Sequence, residues 1–383
     1  MGEVSEIVTG TTPKTGIPEY WVNGDLKWIT PAEISNKEKY IYNSERHITE
    51  KAVRDSNLKS FPKDTVILSS RAPIGKVAIA GCEMYCNQGF KNFICNEEYL
   101  SPIFLYYFLK KNIDYLNSLG RGATFKEISK QIVSNIKINL PPLSVQSGIV
   151  AELDTLHRIK ELQEQQLEEY DKFAQSTFHA MFGDPIDNEK GWEMKKFRIG
   201  IEEMHLGPFG SSLKNDSFVP EENAFCMVYE QKHAIKKTLE VETRFVDENK
   251  YNELKRFEVK AGDFLMSCRG TVGEIYRLPK EAKRGIIHPS LMKIRIKEDV
   301  YNPIYFEKFL YRVVQSEDTQ GTGVKMAISA KELNKKIIPI PPLSLQNEFS
   351  KRIEKIEAQK DLVKQSIAET EQLINYTMDK YFS

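Results

Sequence analysis

Residues 140–146 read LPPLSVQ and residues 340–346 read IPPLSLQ, nearly the same seven letters written twice, 200 positions apart. The surroundings repeat in the same order. Residues 101–110 (SPIFLYYFLK) align with 302–311 (NPIYFEKFLY), and 64–71 (DTVILSSR, then Gly75) with 262–269 (GDFLMSCR, then Gly273). Gly120-Arg-Gly122 followed by Ile128 and Ser129 corresponds to Gly321-Thr-Gly323 followed by Ile328 and Ser329, and Gly10 to Lys14 has a looser counterpart in Gly207 to Lys214. A tandem duplication of about 200 residues constrains the fold before any composition does, because each copy must be one supersecondary design that works twice.

Each copy has two parts. The first carries short β-branched and aromatic runs (66–68, 76–79, 264–266) bounded by Gly, Pro, Asn and Asp, with one helix predicted over 103–117 and its counterpart over 304–314. The second, 149–182 and 349–382, contains no Pro or Gly. Alternating steps of 4 and 3 from Ile149 pass through Leu153, Leu156, Lys160, Gln163, Leu167, Tyr170, Ala174, Thr177 and Met181. From Phe349 the same walk passes through Ile353, Ile356, Lys360, Val363, Ile367, Thr370, Ile374, Thr377 and Tyr381. This is one heptad seam in the same phase twice, interrupted by Lys at the same step.

About 33 residues at 1.5 Å each make a rod of roughly 50 Å. Such a stripe must be buried, in a homodimeric coiled coil or, more economically, between the two copies of one chain. The fold class expected is α+β: two similar domains, 1–143 and 184–343, with a pair of long antiparallel coiled-coil helices, 144–183 and 344–383. Antiparallel pairing would place the domains at opposite ends of the rod. Consecutive prolines followed by Ser144 or Ser344 read as a helix stop and N-cap, which leaves Gln146 and Gln346 unexplained.

With 383 residues, 28% charged and 40% hydrophobic, the chain has globular values and suggests two or three domains. No apolar run approaches the roughly 18 residues of a membrane span, and MGEVSEIVTG has no signal-peptide pattern. Five cysteines, an odd number, fit a reducing cytoplasm better than a disulfide framework. Net charge is zero, yet it alternates: +3 over 1–145, −5 over 146–185, +3 over 186–344 and −1 over 345–383.

Catalytic signatures are missing. Residues 139–142 (NLPP) interpose a leucine in what would be a methyltransferase Asn-Pro-Pro-aromatic motif, the GRG and GTG loops lack the third glycine of a dinucleotide loop, and no P-loop occurs. Residues 184–190 (DPIDNEK) read as a solvated linker rather than a nuclease carboxylate–lysine set. Cys82, Cys86 and Cys95 have no fourth ligand and no counterparts in the second copy, so zinc is not expected.

The order domain, PPLSxQ-led helix, domain, PPLSxQ-led helix resembles the DNA-specificity (S) subunit of type I restriction-modification systems. Residues 7–13 (IVTGTTP), 24–29 (GDLKWI) and the glycine-rich loops ahead of each PPL phrase carry the same resemblance. One departure is that GWEMKKF (191–197) leads into the second domain while nothing comparable precedes Gly2. The resemblance implies a non-catalytic subunit that binds double-stranded DNA, each domain reading one half of a bipartite target. The helices would set the gap and dock two methyltransferase subunits, with motor-nuclease subunits completing the complex. S-adenosylmethionine, ATP and Mg would belong to those partners, with no cofactor on this chain and a cytoplasmic location. A protein–protein scaffold with two ligand-binding domains on a coiled-coil spacer is the alternative.

DNA recognition needs cations for phosphates and fork-like or amide side chains for base edges. Polar and basic residues in glycine-flanked loops are the candidates: Lys14, Arg71, Lys76, Lys91, Arg121, Thr124 and Lys126 in the first domain, and Lys214, Arg269, Thr271, Lys293, Thr322 and Lys325 in the second. Arg71 and Arg269 share a repeat position and point to a common role, backbone contact or an internal ion pair. Base choice is expected where the copies diverge, 15–60 against 208–258, a region that holds Tyr20, Trp21, Trp28 and Tyr229. Pro141, Leu143 and Gln146, with Pro341, Leu343 and Gln346, are the expected seats for the partner subunit. The acidic face Glu161, Glu164, Glu168, Glu169 and Asp171 is expected to face solvent or a protein partner.

Overall fold

The computed structural model describes residues 1–35, 38–71, 73–121, 126–315 and 330–383. It divides into two compact units, residues 1–165 with 364–383, and residues 166–363, so the division cuts through both long helices rather than at their starts.

Unit 1 contains β1 (Ser5–Val8), β2 (Leu26–Ile29), β3 (Tyr40–Ile41), β4 (Arg46–Ile48), α1 (Glu50–Ser56), β5 (Val66–Ser69), β6 (Val77–Ala80), β7 (Tyr85–Cys86) and β8 (Phe90–Cys95). These are followed by α2 (Pro102–Lys111), α3 (Ile113–Leu119), α4 (Lys130–Ser134) and the first part of α5 (Leu143–Phe182). The larger sheet runs β1-β8-β5-β6-β3 and a smaller one β4-β2-β7. β5 (VILS) and β6 (VAIA) are buried at every position, as continuous apolar runs require when both faces are covered. One face packs Val66, Leu68 and Ile79 against Phe104, Leu105 and Leu109 of α2, and the other packs Ile67 and Ala78 against Ile29, Phe61 and Phe90.

Unit 2 contains β9 (Met194–Lys196), β10 (Ile201–Leu206), β11 (Cys226–Tyr229), α6 (Gln231–Lys236), β12 (Arg244–Val246), α7 (Glu248–Leu254), β13 (Glu258–Val259), β14 (Phe264–Ser267), β15 (Ile275–Arg277), β16 (Gly285–Ile287) and β17 (Leu291–Ile296). α8 (Pro303–Gln315), α9 (Ala330–Lys335), β18 (Ile337–Pro339) and α10 (Leu343–Phe382) complete the chain. Its sheets run β10-β17-β14-β15 and β12-β11-β16-β13. The larger therefore repeats β1-β8-β5-β6 strand for strand. The smaller repeats β4-β2-β7, with the same antiparallel and then parallel pairing. A duplication legible as scattered phrases is a duplication of topology.

The hairpin after the central strand shows why particular residues recur. Ser69 Oγ accepts from Lys76 N at 2.9 Å and Ser267 Oγ from Glu274 N at 2.9 Å, while Gly75 and Gly273 donate to the carbonyls of the same serines. The two glycines have φ of +97° and +90°, and a Cβ on either would meet Ile113 or Val314 at 2.8 Å. Only glycine satisfies both conditions.

Two expectations are corrected. The helix predicted over 103–117 is two helices, because Asn112 turns its side-chain amide onto the Phe108 carbonyl and competes with the helix; in the second copy α8 runs unbroken. Both long helices start at Leu143 and Leu343, with Val145, Gln146, Leu345 and Gln346 donating to the carbonyls of Pro142 and Pro342. Ser144 and Ser344 thus sit inside the first turn and do not cap it.

Within each unit the two helices run antiparallel along the expected seam. In unit 1, Glu152 meets Tyr381, Lys160 meets Glu371 at 2.7 Å and Gln163 meets Ser366. In unit 2, Lys360 meets Asp171 at 2.7 Å. The lysines that interrupt the heptad therefore occupy equivalent interhelical ion pairs, and Asp171, expected among the solvated acids, is one of the acceptors. Partly exposed pairs of this kind are worth at most about 1 kcal/mol and serve register more than stability.

Candidate nucleic-acid interface

In unit 1 two of the predicted cations, Arg71 and Lys91, meet on one carboxylate. Glu127 is bridged by backbone pairing to both Arg71 and Arg121. Its Oε2 accepts from Arg71 Nε at 2.9 Å and its Oε1 from Lys91 Nζ at 3.3 Å. Arg71, Arg121 and Lys126 are exposed around it, beside the glycine turn of the β5–β6 hairpin. Lys76 is half-buried and donates to the Pro31 carbonyl at 2.8 Å; Lys14 is exposed, its carbonyl held by Trp21 Nε1 at 3.2 Å. Thr124 lies outside the described residues.

Lys91 is not on this surface. It is 4% exposed and also donates to Ser70 Oγ at 3.0 Å, so it is a structural cation unavailable to a phosphate. Burial pushes its pKa down and Glu127 opposes that. The strand register places Met292 at its position in unit 2. Lys91→Met is therefore expected to stay within about 1 kcal/mol of the parent in urea unfolding, since an apolar isostere replaces a buried pair at little cost. Glu127→Ala, which strands the buried ammonium, should cost more; a reversed order would refute this account.

In unit 2, Lys214, Arg269 and Thr271 are exposed. Arg269 and Thr271 sit on the hairpin equivalent to that of Arg71, where Gln231 Nε2 donates to the Thr271 carbonyl at 2.9 Å. Lys214 lines an open cavity of about 460 Å³ with Ser211, Ser212, Asp216 and Lys250. Lys293 is corrected like Lys91: at 2% exposure it is bound to Glu203 at 2.8 Å and to the Glu258 carbonyl at 2.9 Å. Beside it, Arg295 spans Glu203 and the buried Asp263. Sequence could not separate these inward lysines from outward ones, because a strand that is covered on both faces gives no alternation to read. Thr322 and Lys325 lie outside the described residues.

Two arginines escaped the sequence reading. Arg46, first residue of β4, is exposed and lays its guanidinium 3.8 Å from the Trp21 ring centroid. Arg244, first residue of β12, lies 4.0 Å from that of Phe218. They share a place in the repeat at an offset of 198, RHITE (46–50) against RFVDE (244–248), and Arg46 pairs with Trp28 of β2 as Arg244 pairs with Val228 of β11. Trp28 and Tyr229 are core residues, at 1% and 0% exposure.

The expected partner seats divide. Gln146 and Gln346 are fully buried. Gln146 Oε1 accepts from Ser101 N at 2.9 Å, and its amide donates to the carbonyls of Tyr99 and Pro141 at 2.7 and 2.9 Å. Gln346 repeats this with Asn302 N, Val300 and Pro341 at 2.9, 3.1 and 2.9 Å. Both glutamines staple a long helix to its own domain and have no face left for a partner. Pro341 is buried and Leu343 half-buried. Pro141 and the exposed Leu143 line a shallow depression of about 290 Å³ with Val4, Tyr99 and Leu140. No helix among the described residues is long and apolar enough to cross a membrane, and no cluster of three metal-ligating side chains occurs among them.

Comparison with known proteins gives this architecture its place. The family model described as type I restriction modification DNA specificity domain matches residues 1–170 and 223–372. The MjaIX specificity subunit of a type I restriction enzyme from Methanocaldococcus jannaschii is 30% identical, over 91% of this chain and 83% of that protein. The EcoKI specificity subunit from Escherichia coli K12 is 22% identical, over 96% and 83%. Among solved structures, a chain from a study of complex assembly and conformational transition in a type I restriction-modification system superposes with a TM-score of 0.69 at 18% identity, covering 100% of this chain and 96% of that one. The S subunit from M. genitalium gives 0.50 at 15% identity, covering 100% and 94%. Two matched units, each with its own sheet pair and its share of both helices, and a family model that matches twice, show that this chain belongs to the type I restriction-modification DNA specificity family.

Proposed function

We propose that this chain is the DNA-reading subunit of a type I restriction-modification complex. Each unit recognises one half of a two-part duplex sequence, and the paired helices set the gap between the halves. The observation that carries this is the duplicated topology that presents an exposed arginine on the same hairpin in both copies, Arg71 in one, with Arg121 and Lys126 beside it, and Arg269 in the other. The subunit supplies specificity and no catalysis. Two methyltransferase subunits and motor-nuclease subunits carry the chemistry, with S-adenosylmethionine, ATP and Mg bound to them, in the cytoplasm.

Support for two copies of one partner comes from a groove present in each unit. In unit 1 it is lined by Tyr106, Lys110 and Lys111 of α2 with Ile374 and Met378 of α10. In unit 2 the equivalent positions are Glu307, Tyr311 and Arg312 of α8 with Ala174 and Phe178 of α5.

The test is methylome mapping in cells carrying this chain with its methyltransferase, joined to duplex binding at several salt concentrations. A bipartite motif is expected, with affinity falling by orders of magnitude between about 50 and 200 mM salt. No motif, together with salt-insensitive association with protein ligands alone, would favour a scaffold instead.

A further inference from the structure

We infer that Arg46 reads a base in unit 1's half of the target, with guanine as the base its geometry fits; this rests on the DNA-reading function proposed above. The residue stands on a rigid shelf. Trp21 and Trp28 meet edge to face with centroids 5.1 Å apart, and each indole N–H is tied to a backbone carbonyl, Trp21 to Lys14 and Trp28 to Thr11, both at 3.2 Å. The Arg46 guanidinium lies 3.8 Å from the first ring centroid and 5.1 Å from the second. Ser44 accepts from Trp28 N at 3.2 Å and donates to the Arg46 carbonyl at 2.7 Å, which locks the strand beneath it.

Seated 3.8 Å from one aromatic centroid and 5.1 Å from a second, the guanidinium is restrained in position while its N–H donors stay available to a ligand. That fork is the complement of guanine O6 and N7 in the major groove. A phosphate can take the same fork; what favours a base edge is that Arg46 lies where the two copies diverge and that its counterpart Arg244 is taken up by Glu230, whereas a backbone contact would be common to both halves. β4 is an edge strand of its sheet, Arg46 is exposed, and among the described residues no carboxylate is within ion-pair distance of it.

The second copy sharpens the assignment. Arg244 occupies the same register on an aromatic shelf, but its guanidinium is bound to Glu230, a nearly buried carboxylate that also holds Lys232 at 3.0 Å. The fold thus presents an arginine at this place in both units, and Glu230 takes it up in one. A difference of this kind, at a common position, is what two units reading different bases require.

The experiment maps methylation motifs in cells carrying the native partner subunits with wild-type chain, Arg46→Lys or Arg46→Ala. Arg46→Lys keeps the charge and loses the fork. Both variants are expected to relax one G position in one half of the motif and leave the other half unchanged. On purified complex, affinity for the wild-type motif duplex should fall about tenfold or more, while a duplex with that G·C pair replaced is bound as before. If Arg46→Lys keeps full discrimination, or if Arg46→Ala weakens all duplexes equally, Arg46 is a phosphate contact and the inference is overturned. Because Arg46 is a surface residue, unchanged thermal unfolding of Arg46→Lys serves as the folding control. If the wild-type chain yields no bipartite motif, it is the underlying DNA-reading function that falls.

Discussion

Gln146→Ala is expected to lower the stability of unit 1 by about 2–4 kcal/mol, because three part-buried backbone groups left unpaired cost about 1 kcal/mol or more each. Those groups are Ser101 N–H and the carbonyls of Tyr99 and Pro141, all now paired with one fully buried amide. Gln346→Ala should do the same to unit 2 through Asn302, Val300 and Pro341. Glutamate is the informative control: it keeps the size and the acceptor but loses both donors, and it would bury a charge beside two carbonyls, so it should be no better than alanine. Urea unfolding with a probe in each unit reads the effect. Equal loss in both units from a single substitution, or a loss under about 1 kcal/mol, would show that the staple is not what seats the helix.

Phe382→Ala is expected to destabilise unit 1 by about 3–5 kcal/mol, the usual cost of emptying a buried phenylalanine site. Phe382 is 5% exposed and its ring centroid lies 5.0 Å from that of Phe104 and 6.4 Å from that of Phe108, in the core that covers β5. Asn112 also donates to its carbonyl. A change next to the last residue of the chain should therefore speed hydrogen exchange in β5 and β8 of unit 1, over 280 positions earlier, and spare unit 2. Phe182→Ala is the converse, since that ring packs on Tyr305 and Phe349 in unit 2, at 4.7 and 5.3 Å. Protection lost in the wrong unit would contradict the packing.

Much of this molecule was legible in its residues. Two PPLSxQ phrases, two heptads in one phase and two DTVILSSR-like strands were enough for the α+β class and the duplication, because periodicity and turn chemistry are local properties that survive in a linear string. The resemblance to specificity subunits rested on the same order of phrases. The candidate site was legible only in part. Arg71, Arg121 and Lys126 do gather around Glu127, yet Lys91 and Lys293 point inward, and no local pattern separates an inward from an outward lysine in a strand buried on both faces. The recurrence of Gln146 and Gln346 points to a shared seat, and that seat is each glutamine's own domain rather than a partner.

Sequence by itself settled that there are two copies, where each long helix lies and which side of it is apolar, since spacing along the chain sets all three. The tertiary structure decided what those apolar sides cover. Each domain core is closed by the start of one long helix and the end of the other, Ile149 and Leu153 with Met378 and Phe382 in unit 1, and Phe178 and Phe182 with Phe349 and Ile353 in unit 2. It likewise decided that Arg46 and Arg244 stand at one register of matched strands and that one of them is held by Glu230. Contacts between residues far apart in the chain depend on strand register and helix pairing, and these leave no periodic trace in the residues that make them.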